Sequence, residues 1–243
     1  MTKRAFPPAH PHGDIEELFP GIHLVTGTTD FGNRVPMRFS RNMTIIEQDG
    51  VVTLVNTVRL NEGALSALER IGDVKHIIRL AGFHGMDDPF YKDRYGATVW
   101  SVDAPYLTGF GAGKKPYFEA DKVIGDQTVL PLEDTTFFGF KSANPKEGLL
   151  LINCEDGIVV SGDCLQNWAR PDQFFSLPAR LMMRVMGFIK PYNIGPGWLK
   201  SAKPDKGEIK SLLDLEFNHV LPVHGAPVIG NAKQHYAPAI SAL

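Results

Sequence analysis

The sequence predicts an α+β protein whose two β-rich halves stack face to face and carry helices on their outer faces, a four-layer αββα sandwich. Three observations lead there. Short apolar, β-rich runs bounded by turn residues fill both halves of the chain, and helical periodicity falls between them rather than at one end. No repeat at a fixed period supports a solenoid instead.

The elements follow in order. From Gly21 the runs GIHLVTG and MTIIEQDGVVTLVN read as strands, and Asp49-Gly50 inside the second is a two-residue hairpin signal, so a β-meander opens the fold. Asn61 to Ile71 places Leu65, Leu68 and Ile71 on one helical face, with Asn61 as N-cap and Gly72 as terminator. VKHIIRLAG is a buried strand, DPFYKDRYG a short helix and TVWSVDA another strand, which gives a β-α-β-α-β alternation. The second half returns to strands in TTFFGFKSA, EGLLLINCEDG and IVVSGDCL, with a hairpin-type turn at Asp156-Gly157. A helix over Lys206 to Phe217, the strand HVLPVHG and a helix from about Asn231 complete the chain.

This organisation implies an N-terminal arm over residues 1–20, one domain over 21–243, and an insertion at about 166–203 rich in Met, Phe, Pro and Trp. The arm holds four prolines together with His10 and His12 and reads as a mobile terminus. In the insertion, Ser176 is a possible N-cap for a helix running to Lys190, whose broad apolar face carries Leu181, Met182, Val185, Met186, Phe188 and Ile189. Such a face is covered by its own domain, closes a pocket as a lid, or joins two copies in a homodimer.

Composition narrows the function. The 243 residues carry 25 basic and 27 acidic side chains, and no dense Lys/Arg cluster interleaved with aromatics suggests a nucleic-acid partner. No window approaches the roughly 20 apolar residues of a membrane span, and the first residues lack the apolar core of a signal peptide. The two cysteines, Cys154 and Cys164, have neither metal nor disulfide-framework spacing, which points to a reducing cytoplasm. Strand alternation sends the Cys164 thiol away from the face that holds Asp163.

Three short pieces at strand ends carry potential ligands: GFHGMDDP (82–89), VVSGDCL (159–165) and VLPVHGAP (220–227). In this order they resemble the metallo-β-lactamase superfamily, over roughly Gly21 to Gly230. Its pattern is a His-x-His-x-Asp-His loop, a later His, a strand-end Ser-Gly-Asp and a strand-end His-Gly. The resemblance implies that His84 is the first His of the loop, Asp88 its Asp, Asp163 the bridging Asp and His224 the final His. Met86 and Pro89 stand where two histidines belong, and residues 139–152 contain no histidine for the later position.

Those departures decide how much metal is expected. A neutral thioether does not replace imidazole in such a site, and proline has no donor. The first site of the resembled pattern keeps only His84, whereas the second keeps Asp88, Asp163 and His224. The expectation is therefore at most one divalent metal, zinc, iron or manganese, or none. Asp88 would also orient water, and His84 would act as a ligand or as a proton carrier beside the metal. Local structure offers Asp88 another role as a helix N-cap with Pro89 at the first helical position. Asp87 would supply an extra oxygen only if the loop rearranged. His23, His76, His219 and His235 match no ligand position.

Two functions follow. One is a mononuclear metal-dependent hydrolase of a small ester, thioester, lactone or phosphoester. The other is a non-catalytic, metal-free member whose cleft binds an apolar ligand or a second subunit. Fold alone does not choose between them.

Overall fold

The computed structural model describes residues 6–31, 35–107 and 115–243. The N-terminal half builds one sheet in chain order: β1 (Glu16–Phe19), β2 (Ile22–Asp30), β3 (Arg38–Gln48), β4 (Val51–Val55), β5 (Asp73–Arg79), β6 (Thr98–Val102) and β7 (Lys122–Ile124). The first four strands are antiparallel. Asp49 and Gly50, at φ 51° and 78°, make the β3–β4 hairpin, because positive φ at both turn residues matches the twist of the strands.

From β4 onward the pairing is parallel, and helices make the first two returns. Helix α1 (Glu62–Ile71) links β4 to β5, and the Asn61 side chain caps it by accepting the Ala64 N–H at 3.0 Å. Helix α2 (Asp88–Tyr95) links β5 to β6.

The C-terminal half builds the second sheet from β8 (Thr135–Phe140), β9 (Glu147–Ile152), β10 (Ile158–Asn167), β11 (Asn193–Ile194) and β12 (His219–Gly225). Long β10 pairs with β9 through its first half and β11 through its second, while β12 runs parallel along its other edge. The crossover between β10 and β12 contains α3 (Leu177–Val185), α4 (Pro196–Ala202) and α5 (Lys206–Lys210). Helix α6 (Ala232–Ser241) ends the chain.

Three apolar cores separate four layers, as the strand alternation requires. Leu24, Ile46, Val55 and Ile78 of the first sheet meet Leu150, Ile158, Val160 and Leu221 of the second in the central core. Met43, Ile45, Leu54 and Ile77 point the other way, against Leu65 and Leu68 of α1 and Phe90 and Tyr91 of α2. Leu149, Val159, Cys164 and Val220 face Trp198, Ile209, Tyr236 and Ile240 on the far side. This is the αββα sandwich expected from the sequence.

Three local expectations need correction. Residues 16–19 of the supposed arm are strand β1, and His12 is fastened: its Nε2 accepts the Asn61 N–H at 3.0 Å, and the Thr28 hydroxyl donates to the Pro11 carbonyl at 2.6 Å. The helix from Lys206 stops at Lys210 and tightens into a 3-10 turn over Ser211–Asp214, since Phe217 reaches the core from extended chain. Asp156-Gly157, by contrast, turns the chain as expected, in a five-residue connection between antiparallel β9 and β10 with Glu155, Asp156 and Gly157 all at positive φ. The N-cap position of α2 belongs to Asp87 rather than Asp88.

Candidate metal centre

Each half of the sandwich contributes to one cleft. His84 sits in the loop after β5, Asp163 within β10 and His224 near the end of β12. Strand β10 keeps register with β12 from Ile158 to Ser161 and regains it only at Gln166. The break falls opposite Pro222, which has no N–H to lend a ladder. It frees Asp163 to turn into the cleft while Cys164 points into the outer core. The Cys164 N–H donates to Glu147 Oε1 at 2.5 Å, and burial pushes its thiol up, so Cys164 is a packing residue as the alternation required.

His224 is held from behind. Its Nδ1 lies 3.0 Å from the Ser40 carbonyl of β3, and a carbonyl only accepts, so Nδ1 carries the proton. Trp168 lies against the imidazole with ring centroids 4.7 Å apart, and its indole N–H donates to the Ser40 hydroxyl at 2.9 Å. The residue after His224 must be glycine: Gly225 has φ +95°, and a Cβ there would lie 2.2 Å from the Asn167 carbonyl oxygen.

The three side chains converge. His84 Nε2 lies 3.2 Å from Asp163 Oδ2, and His224 Nε2 lies 3.2 Å from Asp163 Oδ1. One donor atom from each residue falls within 4.8 Å of the others, the one such cluster among the described residues. Burial alone would raise the Asp163 carboxyl, but the two imidazoles outweigh it and hold the group well below the usual carboxylate range. Burial lowers His84, Asp163 opposes that, and His224 and Arg41 reinforce it. An ionised carboxylate and a neutral imidazole are the forms that metals require.

The donor set passes a chemical test for a metal. With its proton fixed on Nδ1, His224 presents a lone pair at Nε2 toward an ionised carboxylate, a contact that needs a cation or a second proton between them. Two imidazoles and one carboxylate are the protein ligands of many catalytic zinc sites and of non-haem iron sites. A proton on Nδ1 that is passed to a backbone carbonyl is also the usual way a ligating His is oriented.

Asp88, expected as a fourth ligand, is not brought to this cluster. It is fully buried, and its oxygens accept from the Thr57 hydroxyl at 2.5 Å and the Tyr106 hydroxyl at 2.6 Å. Burial raises its carboxyl, while these two hydrogen bonds and the nearby Arg79 work against that. Asp87 is equally committed, paired with the Arg41 guanidinium and accepting the Arg59 N–H at 2.9 Å. Met86 is 43% exposed, with its sulfur 3.8 Å from the Thr29 hydroxyl.

The cluster lies at the base of a cavity of about 350 Å³ whose other walls are mainly apolar. Phe39, Trp168 and Phe188 line it with Met37 and Met86, and α3 closes one side with Met182, Met183 and Met186. Helix α3 and the residue after it therefore border the cleft. Sequence reasoning missed Arg41, Gln166 and Trp198, which also line this cavity. Arg41 left no signal, because the strand read from the sequence began at Met43 whereas β3 begins at Arg38.

No family model and no curated protein matches the sequence. Solved structures do. The metallo-β-lactamase FIM-1 from Pseudomonas aeruginosa, in its mono-zinc form, matches with a TM-score of 0.62 at 13% identity, covering 97% of both chains. VMB-1 matches at 0.64 and 11% identity over 94% of this chain and 96% of its own. The chain has the metallo-β-lactamase fold. A flavo di-iron protein variant from Thermotoga maritima matches as well, at 0.58 and 17% identity, over 93% of this chain but only 62% of its own. On the metallo-β-lactamase fold, then, this chain gathers two histidines and one aspartate in its cleft.

Proposed function

We propose that the protein is a mononuclear metal-dependent hydrolase of a small ester, thioester or lactone with an apolar body. One observation carries this: His84, Asp163 and His224 converge with their donor atoms facing one another at the floor of a cavity walled by methionine and aromatic side chains. Zinc, iron or manganese suits the donor set, and the metal would supply a Lewis acid and an activated water.

The chain's own residues would do the rest. His84, Asp163 and His224 would hold the metal, with Ser40 and Trp168 fixing the ring of His224. The apolar wall would bind the substrate body and exclude water. Six buried side-chain polar atoms lack a partner among the described residues, and three of them belong to cavity residues: Arg41 Nε, Gln166 Oε1 and Trp198 Nε1. Unpaired buried groups are costly, and a few polar anchors in an apolar pocket are how small ligands are oriented. Arg41 also suits a developing oxyanion, since it is buried and already held by Asp87 and the Thr57 carbonyl. A phosphoester fits less well, because the charge of Arg41 is matched by Asp87.

The apolar wall supports a second reading as well, a non-catalytic binder of an apolar ligand. Protein purified without chelator should contain close to one equivalent of metal, and Asp163→Asn should contain almost none. It should also cleave p-nitrophenyl acyl esters faster as the acyl chain lengthens from acetyl to butyryl. Metal-free protein that nonetheless binds apolar dyes would select the second reading. Two equivalents of metal would overturn both.

A further inference from the structure

The outer side of α3 is a surface that the pocket does not use. At about 100° per residue, Ala179 and Met183 point into the protein, Met182 and Met186 flank the cavity, and Leu177, Leu181 and Val185 point away. Those three are 78%, 69% and 81% exposed. Eleven large hydrophobic side chains are exposed among the described residues, and eight lie on this rim: Leu177, Leu181, Met182, Val185 and Met186, with Phe31, Val35 and Met86 beside them. Ser176 ties the two parts together, since its hydroxyl donates to the Pro36 carbonyl at 2.8 Å and accepts the Arg38 N–H at 3.2 Å. Scattered apolar residues need no explanation, but a concentration at a pocket mouth does.

Charge indicates what covers it. Between Asp172 and Asp205 the sequence has no acidic residue and five basic ones, Arg180, Arg184, Lys190, Lys200 and Lys203, in a protein whose formal net charge is −2. All but Arg180 are exposed. Arg184 adjoins Leu177 and Leu181 on the outer face of α3. We propose that this face docks on an anionic lipid surface, with Leu177, Leu181 and Val185 entering the boundary between headgroups and acyl chains, and with Arg184 on the helix and Lys190 five residues beyond its end meeting lipid phosphates. A helix with an apolar outer strip and a basic flank has the chemistry of interfacial binding, and anionic leaflets attract such flanks. A second copy of the chain fits worse, because a twofold contact would set this acid-free segment against itself. No helix among the described residues is long and apolar enough to cross a membrane, so the association is peripheral. The pocket mouth would then face the lipid, and an amphiphile would enter it without crossing water.

This proposal does not depend on a metal or on turnover, and its test uses neither. The full chain is mixed with phosphatidylcholine vesicles, with or without a third of phosphatidylglycerol, and floated on a density gradient. Wild-type protein should float with the anionic vesicles and far less with the neutral ones. Leu181→Asp combined with Val185→Asp should cut the bound fraction more than tenfold. Arg184→Glu should weaken it at least fivefold, given about fivefold per basic residue near the surface. Because these side chains are exposed, circular dichroism and Tm should match wild type, which separates lost docking from lost folding. Wild type that stays at the bottom with anionic vesicles overturns the proposal, and so does equal flotation of the Leu181/Val185 variant. A dimer in light scattering that Leu181→Asp dissolves, without vesicle binding, would assign the face to a second copy instead.

Discussion

Asp88 shows how far a motif reaches at the scale of one residue. The resemblance of GFHGMDDP to a metal-binding loop implies a ligand there, yet the folded chain surrounds Asp88 with the Thr57 and Tyr106 hydroxyls near buried Arg79. The prediction is that Asp88→Asn leaves metal content unchanged, whereas Asp163→Asn or His224→Ala abolishes it by elemental analysis. Asp88→Ala should instead destabilise by about 2–6 kcal/mol in urea unfolding, since it leaves the buried Thr57 and Tyr106 hydroxyls without their acceptor at about 1–3 kcal/mol each. The sign with pH follows from burial, which raises the Asp88 carboxyl above its ordinary value of 3.8. Stability from this group is fully present below that value and is lost as pH rises through the folded pKa. Asp88→Asn should therefore gain on wild type as pH climbs above about 4, and a constant difference across pH would refute the burial argument. The convergence of His84, Asp163 and His224 was legible because each comes after an apolar run, in a recognisable order. The Arg41–Asp87 pair and the partners of Asp88 were not, because they depend on contacts between residues 18 to 46 positions apart.

At the scale of elements, the features carried by local chemistry were legible. Asp49-Gly50 makes its hairpin, and Asn61 caps α1, because the turn residue and the cap act within a few positions. The helix expected from Lys206 to Phe217 failed where tertiary packing of Phe217 overrode the local pattern. Helix α3 lies between these cases. Its cap is local, with the Ser176 oxygen accepting the Ala179 N–H at 3.4 Å, but the same hydroxyl tethers the helix to the segment leading into β3. Ser176→Ala should cost about 1 kcal/mol at the cap, and hydrogen exchange of 177–185 should speed up while strands β3 and β10 keep their protection. Uniform acceleration across the protein would mean that α3 is part of the global core. No change would mean that Met183 and Ala179 hold the helix alone.

For the whole molecule, the cleft is a junction between the two sheets. His84 leaves the last turn of chain before α2 on the first sheet, Asp163 and His224 belong to the second, and Ser40 of β3 holds His224 across the gap. Asn42 adds a second tie, its side-chain amide donating to the Pro222 and Gly225 carbonyls at 2.8 Å and 2.6 Å. A metal here would clip the layers together without being needed to form them, because three apolar cores already hold the sandwich. A ligand present at 100 times its Kd adds about 2.7 kcal/mol to folding, and a chain of this size gains about 2–4 °C in Tm per kcal/mol. Removing metal with a chelator should therefore lower Tm by about 5–10 °C and leave the far-ultraviolet spectrum intact. Asp163→Asn should start at the lower Tm and not respond to chelator. If the chelated protein loses its secondary structure, the metal is part of the fold rather than a guest in it. If chelator shifts neither wild type nor variant, the three side chains hold one another through a proton on His224 and the cleft works without metal.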